Sequence, residues 1–397
     1  SLPPPGGRTV IATTLANRIL SFDEGTGVLR AEAGFTLAEL NRLFYRRGWA
    51  SPVSPGTQFV TLGGMVASDV HGKNHHVAGC FGEHVLGLRM RVAGGRVLEV
   101  DEETEPELFR ATIGGMGLTG HILEVSVKLE RIPSPWVWRE SERVEDLDTL
   151  IAKLLADSRS WPFTMSWVDC LRTGRNIGRG IVMRGRWANP EEAPRRLPRM
   201  HGRLAVPFDL PSWLLGSWSM RLFNFTYFHA HGRSVRRGVV SPRSFFYPLD
   251  AIRHWNRLYG RHGFTQYQCV LPLVDDSAPY HELFSLLSRR GGASFLSVVK
   301  DCGAEGKGML SFPRPGISVA LDLPMQGART QALVDELNEI VIAAGGRVYL
   351  AKDALTRPEH LRAMEPRLEA WNVVRKRWDP DGEIASALSH RLLGDLP

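Results

Sequence analysis

The stretch Pro55-Gly56-Thr57-Gln58-Phe59-Val60-Thr61-Leu62-Gly63-Gly64-Met65-Val66-Ala67-Ser68-Asp69-Val70-His71-Gly72-Lys73-Asn74-His75-His76 crowds small residues, hydroxyls and histidines into one loop-like segment. Glycines at 56, 63 and 64 let backbone N–H groups turn toward an anion with no Cβ in the way, and Thr57, Thr61 and Ser68 add hydroxyls at the same place. Taken residue by residue, the stretch suits a phosphate or pyrophosphate; a tight turn leading into a short helix, with His75 and His76 exposed, accounts for the Gly-Gly pair equally well.

The flanking pattern is that of an α+β unit. Val10-Ile11-Ala12 and Val28 to Glu32 read as short strands around a turn at Asp23 to Gly27, and Thr36 caps a helix carrying Leu37, Leu40, Leu43 and Phe44, closed by Gly48. Val85 to Val92 and Arg96 to Val100 flank Ala93-Gly94-Gly95 as a hairpin, followed by a helix from Pro106 to Thr112 and a strand from Ile122 to Leu129. Pro133-Ser134-Pro135 marks a boundary. Beyond it, helical segments at 145–157, 249–260, 278–290 and 329–344 alternate with strand-like runs at 163–169, 265–272, 294–300 and 316–323, which predicts a sheet covered on one side by helices. From Gly346 the chain is expected to return to the first domain. Its 397 residues suit two domains, divided as 1–134, 135–346 and 347–397.

No run approaches the roughly eighteen apolar residues of a membrane span, and Ser1 to Gly7 has no secretory signal pattern. Cys80, Cys170, Cys269 and Cys302 form no C-x-x-C pair, which argues against a zinc site or a disulfide framework. The net charge of +7 is concentrated between 171 and 203, where nine arginines face Glu191 and Glu192. Val206-Pro207-Phe208, Trp213-Leu214-Leu215, Trp218 and Leu222-Phe223 follow at once, a combination suited to a peripheral anionic membrane surface. No helix or zinc module presents those arginines to a nucleic-acid groove.

The string from Pro55 to His76 resembles the second FAD-contacting segment of the flavoproteins related to vanillyl-alcohol oxidase, in the form found in the decaprenylphosphoryl-β-D-ribose 2′-oxidases. The resemblance continues through Ala78 to Val85, Glu107-Leu108-Phe109, Gly114 to Gly120, Gln266-Tyr267-Gln268, Ser311-Phe312-Pro313 and Tyr349 to Asp353, and is weakest from 171 to 240. It implies a two-domain α+β fold with a discontinuous FAD domain and a substrate-binding cap whose antiparallel sheet is covered by helices. The family's R-G-x-G-x-S-x-G-D pyrophosphate loop precedes the residues matched by Leu2 to Gly7, so the sequence as given is expected to bind FAD poorly.

Oxidising a secondary alcohol needs a hydride acceptor, a group that removes the hydroxyl proton, and positive charge beside the acceptor. By the resemblance, FAD is held by Gly56, Thr61, Leu62, Gly63, Gly64, Ser68, Asp69, Val70, His71, Gly117, Ile122 and Tyr349. Lys352 and His71 are the implied catalytic residues. Lys73, Trp167, Phe246, Gln266, Gln268, Lys300 and Ser318 are the implied substrate contacts, with no metal. Phe246 replaces a tyrosine of the mycobacterial enzymes, and Ser318 and Ala320 replace an asparagine and a cysteine. The implied reaction is oxidation of the 2′-hydroxyl of a polyprenylphosphoryl ribose to a ketone, the first half of an epimerisation to arabinose in bacterial cell-wall synthesis. A separate NAD(P)H-dependent reductase completes it, and the oxidase sits peripherally at the plasma membrane. Oxidation of a free alditol or sugar lactone is one alternative; a flavin-free sugar-lipid binding protein is another.

Overall fold

The computed structural model describes residues 12–198, 204–211, 217–273, 277–291 and 297–395. A first sheet is built from β1 (Ile19–Asp23), β2 (Val28–Glu32), β3 (Val85–Arg91), β4 (Val97–Val100) and β5 (His121–Lys128), all antiparallel, in the order β1-β2-β5-β3-β4. Its opening strand lies later than the sequence pattern suggests: Val10 and Ile11 fall outside the described residues, and the partner of β2 is Ile19–Asp23. The Asp23 carboxylate fixes the turn by accepting from Gly25 N and the Thr26 hydroxyl, each at 2.8 Å.

Helix α1 (Leu37–Phe44) begins at Thr36, which forms a reciprocal capping box with Glu39. Leu37, Leu40 and Phe44 are buried against the sheet, while Leu43 is 38% exposed. Gly48, in the left-handed region at φ 75°, ends the following turn. Helix α2 (Leu62–Ala67) starts where Thr61 Oγ1 accepts from Gly64 N at 3.1 Å, so the glycine-rich string becomes a cap, a short helix and a loop.

The second sheet has eight strands: β6 (Val137–Val144), β7 (Phe163–Val168), β8 (Gly180–Trp187), β9 (Arg236–Val240), β10 (Phe264–Pro272), β11 (Ser297–Cys302), β12 (Gly316–Pro324) and β13 (Arg347–Val348). Their order is β9-β6-β8-β7-β11-β12-β10-β13, with every pair antiparallel. Alternate side chains of a strand point to opposite faces. Tyr267, Cys269, Val319, Leu321 and Val299 therefore share one face, where they form a core with helices α3 (Leu147–Ser158), α5 (Ala278–Arg290) and α6 (Ala328–Ala343). Helix α4 (Ser217–Ala230) lies on the other face, against Trp167 and Ile181.

The segment 249–260 is not one helix. Two 3₁₀ turns, Leu249–Ala251 and Trp255–Tyr259, flank Ile252–Arg253, which pairs with Leu204–Ala205; His254, at φ 56°, breaks the helical run. The arginine-rich segment is also less free than its charge count suggests, because antiparallel pairing sets it beside acidic strands. Arg172 and Arg179 pair with Asp169, Arg184 with Glu140, Glu142 and Asp157, and Arg186 with Glu192. Arg175, Arg195 and Arg196 are exposed; Arg199, Arg203 and Trp213 to Leu215 fall outside the described residues.

Helix α7 (Leu368–Trp378) returns to the helix Pro106–Thr112, where the fully buried Trp371 donates from Nε1 to Ala111 O at 2.9 Å. The glycine-rich string is also tied to the second sheet's region. Thr57 Oγ1 and Gln58 N both donate to the Asp250 carboxylate at 2.8 Å, and Tyr247 Oη accepts from Asn41 and donates to Ser54.

Candidate active site

A cleft of about 560 Å³ opens beside α2 and the first sheet. Thr61, Gly63, Gly64, Gly117 and Ile122 line it, with Gly120 from the glycine run 114–120, and so do Ala33, Gly95 and His121, which the sequence reading did not include. At Gly63 an added Cβ would stand 2.9 Å from the Ala33 Cβ, so glycine is required for α2 to lie this close to the strand end. Leu62 and Val70 bury their side chains in the core, leaving backbone alone for a ligand, and Gly56 is exposed outside the cleft lining.

Asp69 turns away from the cleft. Its carboxylate accepts from Gly82 N at 2.8 Å and from the Ser311 hydroxyl, and its backbone sits in the left-handed region at φ 39°. Burial raises its pKa to about 6 against those two stabilising hydrogen bonds. Asp69 is thus a staple between the loop after α2 and the approach to β12. Ser68 offers its carbonyl to Tyr349 Oη at 2.9 Å, and Tyr349 N donates to Gln268 O at 2.8 Å. Tyr349 therefore links the loop to β10. Its ring, His71 and Phe312 pack together with centroids 4.9–5.3 Å apart.

The site face of the second sheet follows from register. Gln266 lies opposite Asp322, Gln268 opposite Ala320, Lys300 opposite Ser318, and Val298 opposite both Ala320 and Trp167. Gln268 Nε2 donates to Ser318 Oγ and to His71 Nε2, both at 2.8 Å. That bond occupies the Nε2 lone pair, so the His71 proton sits on Nδ1, a buried atom with no hydrogen-bond partner among the described residues. Burial, then Lys300, His75 and Lys352, hold the His71 pKa well below its ordinary value. The ring is consequently a neutral donor rather than a proton acceptor in this arrangement.

Lys300 and Lys352 make no hydrogen bond or ion pair among the described residues. Burial lowers the Lys300 pKa to about 8, with Lys352 adding repulsion. Burial also lowers that of Lys352, against an upward pull from Asp322. Asp322, which the sequence reading missed, accepts from Gln266 Nε2 at 2.8 Å and from Tyr259 Oη at 3.3 Å. The signal was present: Asp322 stands two alternations beyond Ser318 on the same strand.

Lys73 and Phe246 lie deeper. The Lys73 ammonium donates to the carbonyls of Phe245 and Phe246, the latter at 3.2 Å, closing the short helix Pro242–Phe246, and burial drives its pKa far down. Phe246 packs in an aromatic cluster with Phe163, Phe245 and Trp187. Trp167 forms an apolar end to the site face, edge-on to Tyr227. The structure thus unites His71, Gln268, Ser318 and Tyr349 by direct bonds, sets Lys300 and Lys352 beside them, and ties Gln266 to Asp322.

A family model described as an FAD binding domain matches residues 3–101, and one described as D-arabinono-1,4-lactone oxidase matches 317–392. The chain is 34% identical to the decaprenylphosphoryl-β-D-ribose oxidase of Mycolicibacterium smegmatis over 98% of its own length and 85% of that protein. The chain belongs to the decaprenylphosphoryl-β-D-ribose oxidase family. It is also 35% identical to an uncharacterized protein in the mprA 5′ region of Streptomyces coelicolor, over 90% of this chain and 99% of that one. A D-arabinono-1,4-lactone oxidase of Neurospora crassa is 33% identical over 28% of the chain and 20% of that protein.

As a member of this oxidase family, the chain is an FAD-dependent oxidoreductase of the vanillyl-alcohol oxidase type. The site fits the cofactor on its own terms: glycines floor the cleft, and on the site face of the second sheet His71 Nδ1 is a buried donor with no hydrogen-bond partner among the described residues, with the buried Lys300 and Lys352 beside it. Bound there, FAD supplies the two-electron acceptor that no side chain can provide. Among the described residues, no group of three or more His, Cys, Asp or Glu side chains could hold a metal ion, and no helix is long and apolar enough to cross a membrane.

Proposed function

We propose that this oxidase takes a polyprenylphosphoryl-β-D-ribose and oxidises its 2′-hydroxyl to the ketone. The reading divides the chain into a cofactor part, 1–134 with 347–397, and a substrate part, 135–346. The observation that carries it is the polar face of the second sheet, where Gln268, Ser318 and Lys300 meet His71 and Lys352.

Gln266 and Gln268 orient the sugar hydroxyls, and Lys300 holds the phosphate. Trp167 walls the pocket, while Lys73 and Phe246 support it from behind. Lys352, whose pKa burial lowers, takes the proton of the 2′-hydroxyl in its neutral form and ends as an ammonium beside Asp322. His71, fixed by Gln268, donates from Nδ1 toward the acceptor. The backbone of Gly56, Leu62 and Val70 and the cleft residues Thr61, Gly63, Gly64, Gly117 and Ile122 carry the cofactor, with Ser68, Asp69 and Tyr349 bracing it.

A separate NAD(P)H-dependent reductase is the partner reaction that converts the keto sugar to the arabinose epimer. Peripheral attachment to the plasma membrane would bring the lipid substrate within reach. The matched lactone-oxidase model at 317–392 supports a second reading, oxidation of an alditol or sugar lactone. Anaerobic mixing of the FAD-loaded protein with each substrate class decides between them. Bleaching of the flavin band by polyprenylphosphoryl ribose, with a 2′-keto product by mass and NMR, is expected; bleaching by a free lactone or alditol alone would overturn the assignment. A purified protein that takes up no flavin would instead favour a sugar-lipid binding role.

A further inference from the structure

The site face of the second sheet changes character along its width. At β10 and β12 it is polar, but at β7 and β8 Trp167 and Ile181 join Phe228 in an apolar cluster separate from both main cores. From there a track of rings leads outward. Trp167 meets Tyr227 edge-on with centroids 4.8 Å apart, and Tyr227 stacks within 9° of parallel on Phe223 at 5.8 Å. Trp167 is 5% exposed, Tyr227 half-buried and Phe223 43% exposed, so the track runs from pocket wall to surface.

Helix α4, which carries Tyr227 and Phe223, is anchored chiefly by polar contacts. Asn224 Nδ2 donates to the buried Asp169 at 2.8 Å, and Phe228 lies under the guanidiniums of Arg143 and Arg179 at 4.1 and 4.4 Å. The helix's outward side is apolar nonetheless: Trp218 is 77%, Leu222 50% and Phe225 47% exposed. At positions i, i+4 and i+7 they form one stripe, facing away from the buried Met220, Asn224 and Phe228. Exposed apolar groups gathered on one side of an anchored helix mark a binding surface.

We propose that the Trp167–Tyr227–Phe223 flank of α4 is the hydrocarbon subsite for the isoprenoid chain of the substrate. The inference rests on the function proposed above and adds where the lipid runs. The occupant is set by continuity: a chain attached through phosphate to a sugar at Gln268 and Lys300 leaves the pocket past Trp167, and the surface it meets there is aromatic. Flat rings accept the branched methyl groups of isoprene units without a fixed register, so the subsite tolerates variation in chain length.

The test uses the FAD-loaded protein carrying Phe223→Ser or Tyr227→Ser, with Phe223→Leu as the conservative variant. Steady-state kinetics compare a ten-isoprene with a two-isoprene phosphoryl ribose, and calorimetry follows binding of undecaprenyl phosphate, which needs no turnover. The expected result is a KM for the long substrate raised about tenfold by either serine variant and restored by leucine, with kcat and the short-chain KM unchanged. Equal effects on both chain lengths, or none, would overturn the subsite. Loss of sedimentation with phosphatidylglycerol vesicles without any change in chain-length dependence would make the flank a membrane contact instead. If no polyprenylphosphoryl ribose reduces the flavin but undecaprenyl phosphate binds the parent protein and not Phe223→Ser, the subsite stands and the assigned reaction falls.

Discussion

The two faces of the eight-stranded sheet use the same strands for opposite ends. On β10, Tyr267, Cys269 and Leu271 are packed under helices, while Gln266 and Gln268, their immediate neighbours, bond to Asp322 and His71 on the site face. On β12, Val319 and Leu321 belong to the core, and Ser318 and Asp322 to the site. Stability and chemistry are therefore interleaved residue by residue, and a one-residue slip of β12 against β10 would exchange them. The lesson is that the site's geometry is as rigid as the core beneath it.

Substitutions on the two faces should separate cleanly. The largest effect is expected from Lys352→Ala: the rate of flavin reduction falls about a thousandfold while the thermal midpoint holds, measured by stopped-flow absorbance and calorimetry. Next comes Leu321→Ala on the covered face, 1% exposed in the parent, which should cost about 3 kcal/mol of stability with kcat of the folded fraction unchanged. If it altered kcat as much as stability, the two faces would not be independent.

A smaller effect tests the charge on the site face. The Lys300 pKa is lowered to about 8, so its charge is present below that pH and lost as pH rises through it. A basic limb in kcat/KM near pH 8 is expected, and Lys300→Arg should move it up, since guanidinium stays charged. The smallest concerns Asp69, whose folded pKa of about 6 lies above the ordinary carboxylate value, so its contribution is favourable at low pH and lost as pH rises through 6. Asp69→Asn keeps an acceptor for Gly82 N and suits φ 39°, and should leave the melting temperature at pH 8 equal or higher.

Much of this was legible because strand alternation is a local property. Gln266 and Gln268 share a face for the same reason that Tyr267 and Cys269 share the other, and the runs at 163–169, 265–272 and 316–323 differ from the observed strands by a residue at most at either end. The cap at Thr36 and the hairpin around Gly94 are equally local. What stayed hidden depends on distant partners. Lys73 looks like a free cation until the carbonyls of Phe245 and Phe246 arrive, and Arg184 looks like surface charge until Glu140 and Asp157 surround it. The break at His254 is a left-handed backbone at a residue with no glycine to announce it.

Tyr349 closes the site by a bond to Ser68 that spans 281 residues of chain, and His71 meets Gln268 across 197. Contacts so far apart in sequence form late and slowly. During synthesis, at roughly 5–20 residues per second, the glycine-rich loop leaves the ribosome on the order of tens of seconds before its aromatic partner. The first sheet can fold in that interval, but the pocket cannot, so the completed site is a signature that translation has passed residue 349.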